Sequence, residues 1–398
     1  MGLVLRKHSE VLKKSSDQFL LFLGIILISI NLRTSIASVG PLIPFIREDL
    51  DISNGLAGSL TTLTLITFAI FSIFSPKIGK RLGNGRAIFL GILLLSIGVV
   101  VRVLGGVEIL FVGTALTGVG IVIANVLMIP FFKAHLPEKL GLLTAILSTG
   151  MSLFAAIASG ISVPLAVDLG WGWRGSLAFW VVFMLLALAV WFPQAKAKPI
   201  RNKGEGQVGK NVWKSRLAWQ VTLFMGAQSV MYFTMVTWLP DMLISKGMSP
   251  VKAGIALSYM QLISLIGTFF APSFLMKLRQ QHMVILGVSL CYLLGYLLLF
   301  SSQEWVLFVA MTIIGIGSGA SLSIAYTLIS LRTAEDQTTS NLSGMVQSAG
   351  YVLAALGPML FGISLDLVGN WDFLIWFLLA MTIQFLFFGW SAGKDQKI

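Results

Sequence analysis

Charge is what this chain has least of. Its 398 residues include 28 Lys and Arg and 16 Asp and Glu, or 11%, where an ordinary soluble protein has about 25%. So few charges cannot cover a soluble fold of this size. Disorder is excluded as well, because it needs low hydrophobicity and 56% of these residues are hydrophobic. Cysteine occurs once, at Cys291, which excludes an internal disulfide framework. His8, His135 and His282 show no metal-ligand spacing, and no nucleophile–base constellation accompanies them. We therefore expect no enzyme, no metal and no cofactor. What remains is a polytopic, all-α membrane protein.

Apolar stretches divided by polar punctuation predict twelve transmembrane helices. They fall at 19–46, 54–75, 87–104, 107–131, 140–166, 172–192, 217–241, 251–275, 283–301, 305–330, 340–366 and 371–391. Each is near the length of about 20 apolar residues that a bilayer requires. Span 1 is too long for a cleaved signal peptide and lacks its small-residue cleavage site.

The few charges are unevenly placed. With the N-terminus inside, 22 Lys and Arg fall on inside segments and five outside, at Arg47, Arg102, Arg174, Lys246 and Lys252. Acids split seven inside and nine outside. This bias predicts both termini in the cytoplasm. It also accounts for the net charge of +12 without nucleic acid; the lipid bilayer is the expected partner.

The chain repeats itself at an offset near 196. Pro44 matches Pro240, Ser53 matches Ser249, and Ala57-Gly58 matches Ala253-Gly254. Later, Gly118 and Gly120 match Gly315 and Gly317, and Asp168 and Trp173 match Asp366 and Trp371. Six helices separate the copies, an even number, so the halves are parallel repeats. That is a secondary-transporter plan with substrate between the halves. The expected division is a cytoplasmic tail at 1–18, a six-helix bundle at 19–192, a cytoplasmic linker at 193–216, a second bundle at 217–391 and a tail at 392–398.

Several motifs carry a family resemblance. Span 1 reads Asn31-Leu32-Arg33-Thr34 and then Ser38-Val39-Gly40-Pro41-Leu42; span 4 reads Gly118-x-Gly120 and then Asn125-Val126-Leu127. Span 7 reads Gln228-Ser229, Tyr232 and Trp238-Leu239-Pro240; span 11 reads Gln347-Ser348, Gly350-Tyr351 and Ala354-Ala355-Leu356-Gly357-Pro358. Across nearly its whole length the chain resembles the major facilitator superfamily, and within it the cyanate permease and nitroimidazole exporter family. The resemblance implies a monomeric carrier in the inner (cytoplasmic) membrane that alternates access to a small anionic or nitro-bearing substrate, driven by the proton-motive force. The loop from Pro76 to Arg86 resembles the superfamily's signature between spans 2 and 3. It places Lys80 where the family has an Asp that braces the halves.

Arg33 is the sharpest candidate for substrate binding. A charge at mid-span normally faces a cavity or a partner, and no Asp or Glu lies at its depth. Its flat, forked donors suit oxyanions, carboxylates and nitro groups. The bland alternative is a structural arginine bonded to backbone carbonyls. Asn31, Asn125, Gln228, Tyr232, Gln261, Gln347 and Tyr351 are the further candidates, with interhelical hydrogen bonding as their alternative. Gln228 and Tyr232 share a helix face, as do Gln347 and Tyr351. Asn31 lies about 200° around a regular helix from Arg33, so both face one cavity only if span 1 is distorted, as Pro41 and Pro44 permit. Trp171, Trp173 and Trp371 read as membrane-interface anchors. Two rival functions remain: a multidrug exporter of hydrophobic compounds, and a non-transporting membrane sensor.

Overall fold

The computed structural model describes residues 2–196, 211–277, 281–334, 336–394 and 396–398, with side chains described from Phe19 onward except at 336, 337 and 340. In chain order the helices are α1 (Gly2–Ala37), α2 (Ile43–Leu50), α3 (Asn54–Leu82), α4 (Asn84–Val101), α5 (Val107–His135), α6 (Leu140–Val167) and α7 (Gly172–Ala178). They continue as α8 (Val181–Lys196), α9 (Arg216–Ser245), α10 (Pro250–Lys277), α11 (Gln281–Leu298), α12 (Glu304–Leu331), α13 (Asp336–Val368) and α14 (Asp372–Ala392). Spans 1 and 6 are each built from two pieces, α1 with α2 and α7 with α8. Most of the segment expected to link the halves, 197–210, lies outside the described residues.

Among the described residues, eleven spans are long and apolar enough to cross a membrane. Span 7, α9, is the exception. It has 30 residues but carries Gln228, Ser229, Thr222, Thr234, Thr237 and Asp241 among its buried side chains. Burial runs almost without a break from Val221 to Leu243. A helix wrapped in protein meets little lipid, so it need not be as apolar as its neighbours. On the outside of the bundle, Phe269, Phe270, Leu367, Trp376 and Phe387 are exposed, as a lipid-facing surface requires.

Packing repeats as the sequence does. In the first half α4 packs on α5, α3 on α5, α1 on α6, α1 on α8 and α4 on α8. In the second half the corresponding pairs also pack: α11 on α12, α10 on α12, α9 on α13, α9 on α14 and α11 on α14. The halves meet along two seams, α3 with α13 and α6 with α10, and exchanging the repeats converts one seam into the other. Separate apolar cores fill the two bundles.

One end of the bundle holds the Asp51 and Gly247 turns; the other holds the Gly83 turn. Positive φ angles at these residues, 50°, 93° and 86°, let short links reverse the chain. At the Asp51 end the halves close backbone to backbone. A Cβ added at Gly40 would strike the Val236 carbonyl, one at Gly58 the Pro358 carbonyl, and one at Gly362 the Asn54 carbonyl. Arg47 pairs with Asp241 at 2.6 Å. The Asp366 carboxylate accepts the backbone N–H groups of Asn54 and Gly55 at 2.9 and 2.7 Å, capping α3 from the other half.

Several expectations need correction here. Trp173 is buried and donates its indole N–H to Asp49 at 3.1 Å, rather than standing at a lipid interface. Trp371 packs on Trp238 and Phe361, leaving Trp171 as the exposed member of the three. Arg102 and Arg332, counted as loop charges, are both 1% exposed. Arg102 turns inward to the Ser35 carbonyl at 2.9 Å, and Arg332 donates to the Ala392 carbonyl at 2.8 Å.

Candidate functional site

Between the halves lies a cavity whose empty space, the open solvent at its mouth included, is about 650 Å³. The first half contributes Arg33 from α1 with Ser152 and Ala155 from α6. The second half contributes Gln228, Tyr232 and Phe233 from α9, Gln261 and Thr268 from α10, and Tyr326 and Tyr351 from α12 and α13. Thr268 and Tyr326 lie on the Gly83 side of their helix midpoints, and Tyr326 is 43% exposed. The cavity therefore runs from mid-bundle toward the Gly83 end.

Toward the Asp51 end it is shut. Leu65, Phe233, Ala354 and Ala355 form an apolar plug from both halves. The Tyr351 ring meets Phe68 edge-on, with centroids 5.5 Å apart. Beyond the plug, Thr62 donates to the Ala355 carbonyl, and the Thr237 and Thr61 hydroxyls hydrogen-bond each other at 2.9 Å, both between the halves. The glycine contacts and the Arg47–Asp241 pair complete the closure.

Span 1 breaks between Arg33 and the Asp51 end. Pro41 has no N–H to give Ala37, and the Val39 N–H turns to Ile36 at 3.2 Å in place of Ser35. Side chains take over the two freed carbonyls: Arg102 donates to Ser35 at 2.9 Å and Ser159 to Ala37 at 3.1 Å. The break comes after Arg33, so residues 31 to 33 keep regular helical geometry. Arg33 faces the cavity; Asn31 faces the other way. The Asn31 amide donates to the carbonyls of Leu27 and Phe183 at 2.7 and 3.0 Å, locking α1 to α8.

Five sequence candidates line the cavity: Arg33, Gln228, Tyr232, Gln261 and Tyr351. Asn31, Asn125 and Gln347 do not. Gln347 donates to Ser343 at 3.0 Å within its own helix, and Asn125 is half-buried on α5 away from the lining. Sequence reading missed Tyr326, which lines the cavity together with Tyr351 and Arg33. Its polar neighbours on the same helix face are the small hydroxyls Ser323 and Ser330, which are too common in membrane helices to mark a site. Among the described residues the Arg33 guanidinium has no ion-pair partner. The site thus offers one uncompensated cation, amides, hydroxyls and aromatic faces.

Residues 21–358 match the family model of the Major Facilitator Superfamily. The chain belongs to the major facilitator superfamily. It is 43% identical to an uncharacterized transporter, YycB, of Bacillus subtilis (strain 168), covering 97% of this chain and 96% of that one. It is 35% identical to a 2-nitroimidazole transporter of Escherichia coli (strain K12), over 96% and 97% of the two chains. It is 25% identical to the cyanate transport protein CynX of the same organism, over 88% and 91%. As a major facilitator superfamily member the protein is a multi-pass membrane transporter and not an enzyme. In secondary transporters built from two repeats the substrate site lies at the interface of the repeats, and the cavity occupies that position here.

Proposed function

We propose that this transporter carries a small anionic or nitro-bearing solute across the cytoplasmic membrane by alternating access, with Arg33 holding the solute's negative oxygens. Arg33, uncompensated in the inter-half cavity, is the observation that carries the reading. Burying a charge without a partner is costly, and a solute bearing negative charge offsets that cost where a cationic one adds to it. Export of hydrophobic cations is disfavoured for that reason. Relatives named for 2-nitroimidazole and cyanate point to the same class. Tyr232, Tyr326 and Tyr351 would flank a flat solute, while Gln228 and Gln261 orient it. The charge bias puts the Asp51 end outside and both termini in the cytoplasm, so this conformation faces inward. One chain completes the cavity, which fits a monomeric carrier.

Flux tests the reading. Proteoliposomes containing wild-type protein should take up labelled 2-nitroimidazole or cyanate. Arg33→Gln should lose at least tenfold in rate, and Arg33→Lys should retain an intermediate share, because Lys keeps the charge without the fork. Wild-type flux in both variants at equal protein content would sink the proposal.

A further inference from the structure

The two cavity glutamines present their amides in fixed orientations, which limits what the site can bind. Gln261 is 3% exposed, and its amide lies 2.7 Å from the Ser159 hydroxyl of the other half. Ser159 has one proton. Its oxygen stands 3.1 Å from both the Ala37 and the Ala155 carbonyls, so that proton is committed to them. Toward Gln261 the hydroxyl can only accept, and the amide must present its NH₂. Gln261 Oε1 is then left buried without a partner among the described residues.

Gln228 follows the same logic. Its amide nitrogen lies 3.3 Å from the Met225 thioether and 2.6 Å from the Ser229 hydroxyl. A thioether accepts and cannot donate, so the NH₂ must face it. The Gln228 oxygen is the half of the amide left over.

Gln228 thus spends both N–H groups on protein and Gln261 one of its two, and both keep their acceptors. Across the cavity Arg33 offers donors alone. We infer that the substrate is two-ended, with negative or nitro oxygens for Arg33 and an N–H or O–H donor for the Gln228 and Gln261 carbonyls. This deepens the proposed function and rests on the same cavity being the substrate site. A nitroazole with a free ring N–H has both ends; the cyanate ion has no donor and matches Arg33 alone. An unpaired buried acceptor is destabilising. Sites built to pair with a donor therefore reject analogues lacking one more strongly than sites that judge by size.

Binding of 2-nitroimidazole and of its N-methyl derivative to purified full-length protein tests this, at a pH below the pKa of the ring N–H. Wild type should prefer the N–H compound at least tenfold. In Gln261→Leu and Gln228→Leu the ratio should fall at least threefold; a mere clash with the methyl group would persist, since Leu is of similar size. Because each ratio comes from one preparation, a partly unfolded variant still reports it. Equal binding of the two compounds, lost in Arg33→Gln, would overturn the donor requirement and leave the Arg33 anchor standing. Cyanate bound as tightly as 2-nitroimidazole would overturn it too. Failure of all three probes to bind would overturn the cavity reading itself.

Discussion

Arg33 and Asn31 sit two residues apart and do opposite things. Helical geometry requires them to diverge by about 200°, and that much is legible in the sequence. Which one faces the cavity is not, because it depends on Phe183, 152 positions away, offering its carbonyl to Asn31. The same holds for Gln347 and Tyr351. Their shared face is readable, but only Tyr351 lines the cavity, and Gln347 turns to Ser343 within its own helix. Asp241 looks like a loop-end acid and proves to be a cross-half partner, its side chain 12% exposed beside Arg47 at 30%. Asp241→Asn should weaken closure of the Asp51 end by about 1–2 kcal/mol, between the values for exposed and buried pairs. Faster thiol labelling of a reporter cysteine in the cavity from the Asp51 side would show it. Adding Arg47→Gln should change the labelling rate little further, since the two charges act as a pair.

At the scale of helices, contacts along the two seams decide how tightly the halves close. Gly58 lets α3 touch the Pro358 carbonyl, where no Cβ fits. Gly58→Leu should hold the Asp51 end apart, seen as a longer spin-label distance between the tips of α3 and α13. Gly287, with nothing within 4 Å of an added Cβ, should accept Ala with unchanged distances and a gain of about 0.5–1 kcal/mol. The seams also differ chemically. Asp366 caps the α3 N-terminus through the N–H groups of Asn54 and Gly55. The repeat mate of Asn54 is Pro250, which has no N–H, and the carboxylate of Asp168, the mate of Asp366, has no hydrogen bond among the described residues. Asp366→Asn should therefore loosen the α3–α13 seam by about 1 kcal/mol, as loss of a capping contact does, while Asp168→Asn leaves the α6–α10 seam unchanged; the same distance measurement reads both.

At the scale of the molecule, hydropathy and repetition make the architecture legible. Span 7 is the hardest helix to recognise by hydropathy, because its burial in the second half relaxes the need for apolar residues. The repeat offset of six helices anticipates the duplicated packing pairs and the two exchangeable seams. Closure of the Asp51 end was not legible, since it depends on carbonyls from the opposite half meeting Gly40, Gly58 and Gly362. Sidedness rests on the charge bias. In a Cys291→Ser background, Ser302→Cys should react with a membrane-impermeant thiol reagent on intact cells. Glu138→Cys should react only after the membrane is opened. The reverse pattern would invert the topology and make the present conformation outward-facing.

The central claim is that Arg33 anchors the solute. Calorimetric titration of 2-nitroimidazole and cyanate into purified wild-type, Arg33→Lys and Arg33→Gln protein tests it most directly. The account predicts binding by wild type to at least one of the two, weaker binding by the Lys variant, and a loss of at least tenfold in the Gln variant. Equal dissociation constants in all three folded proteins would contradict it.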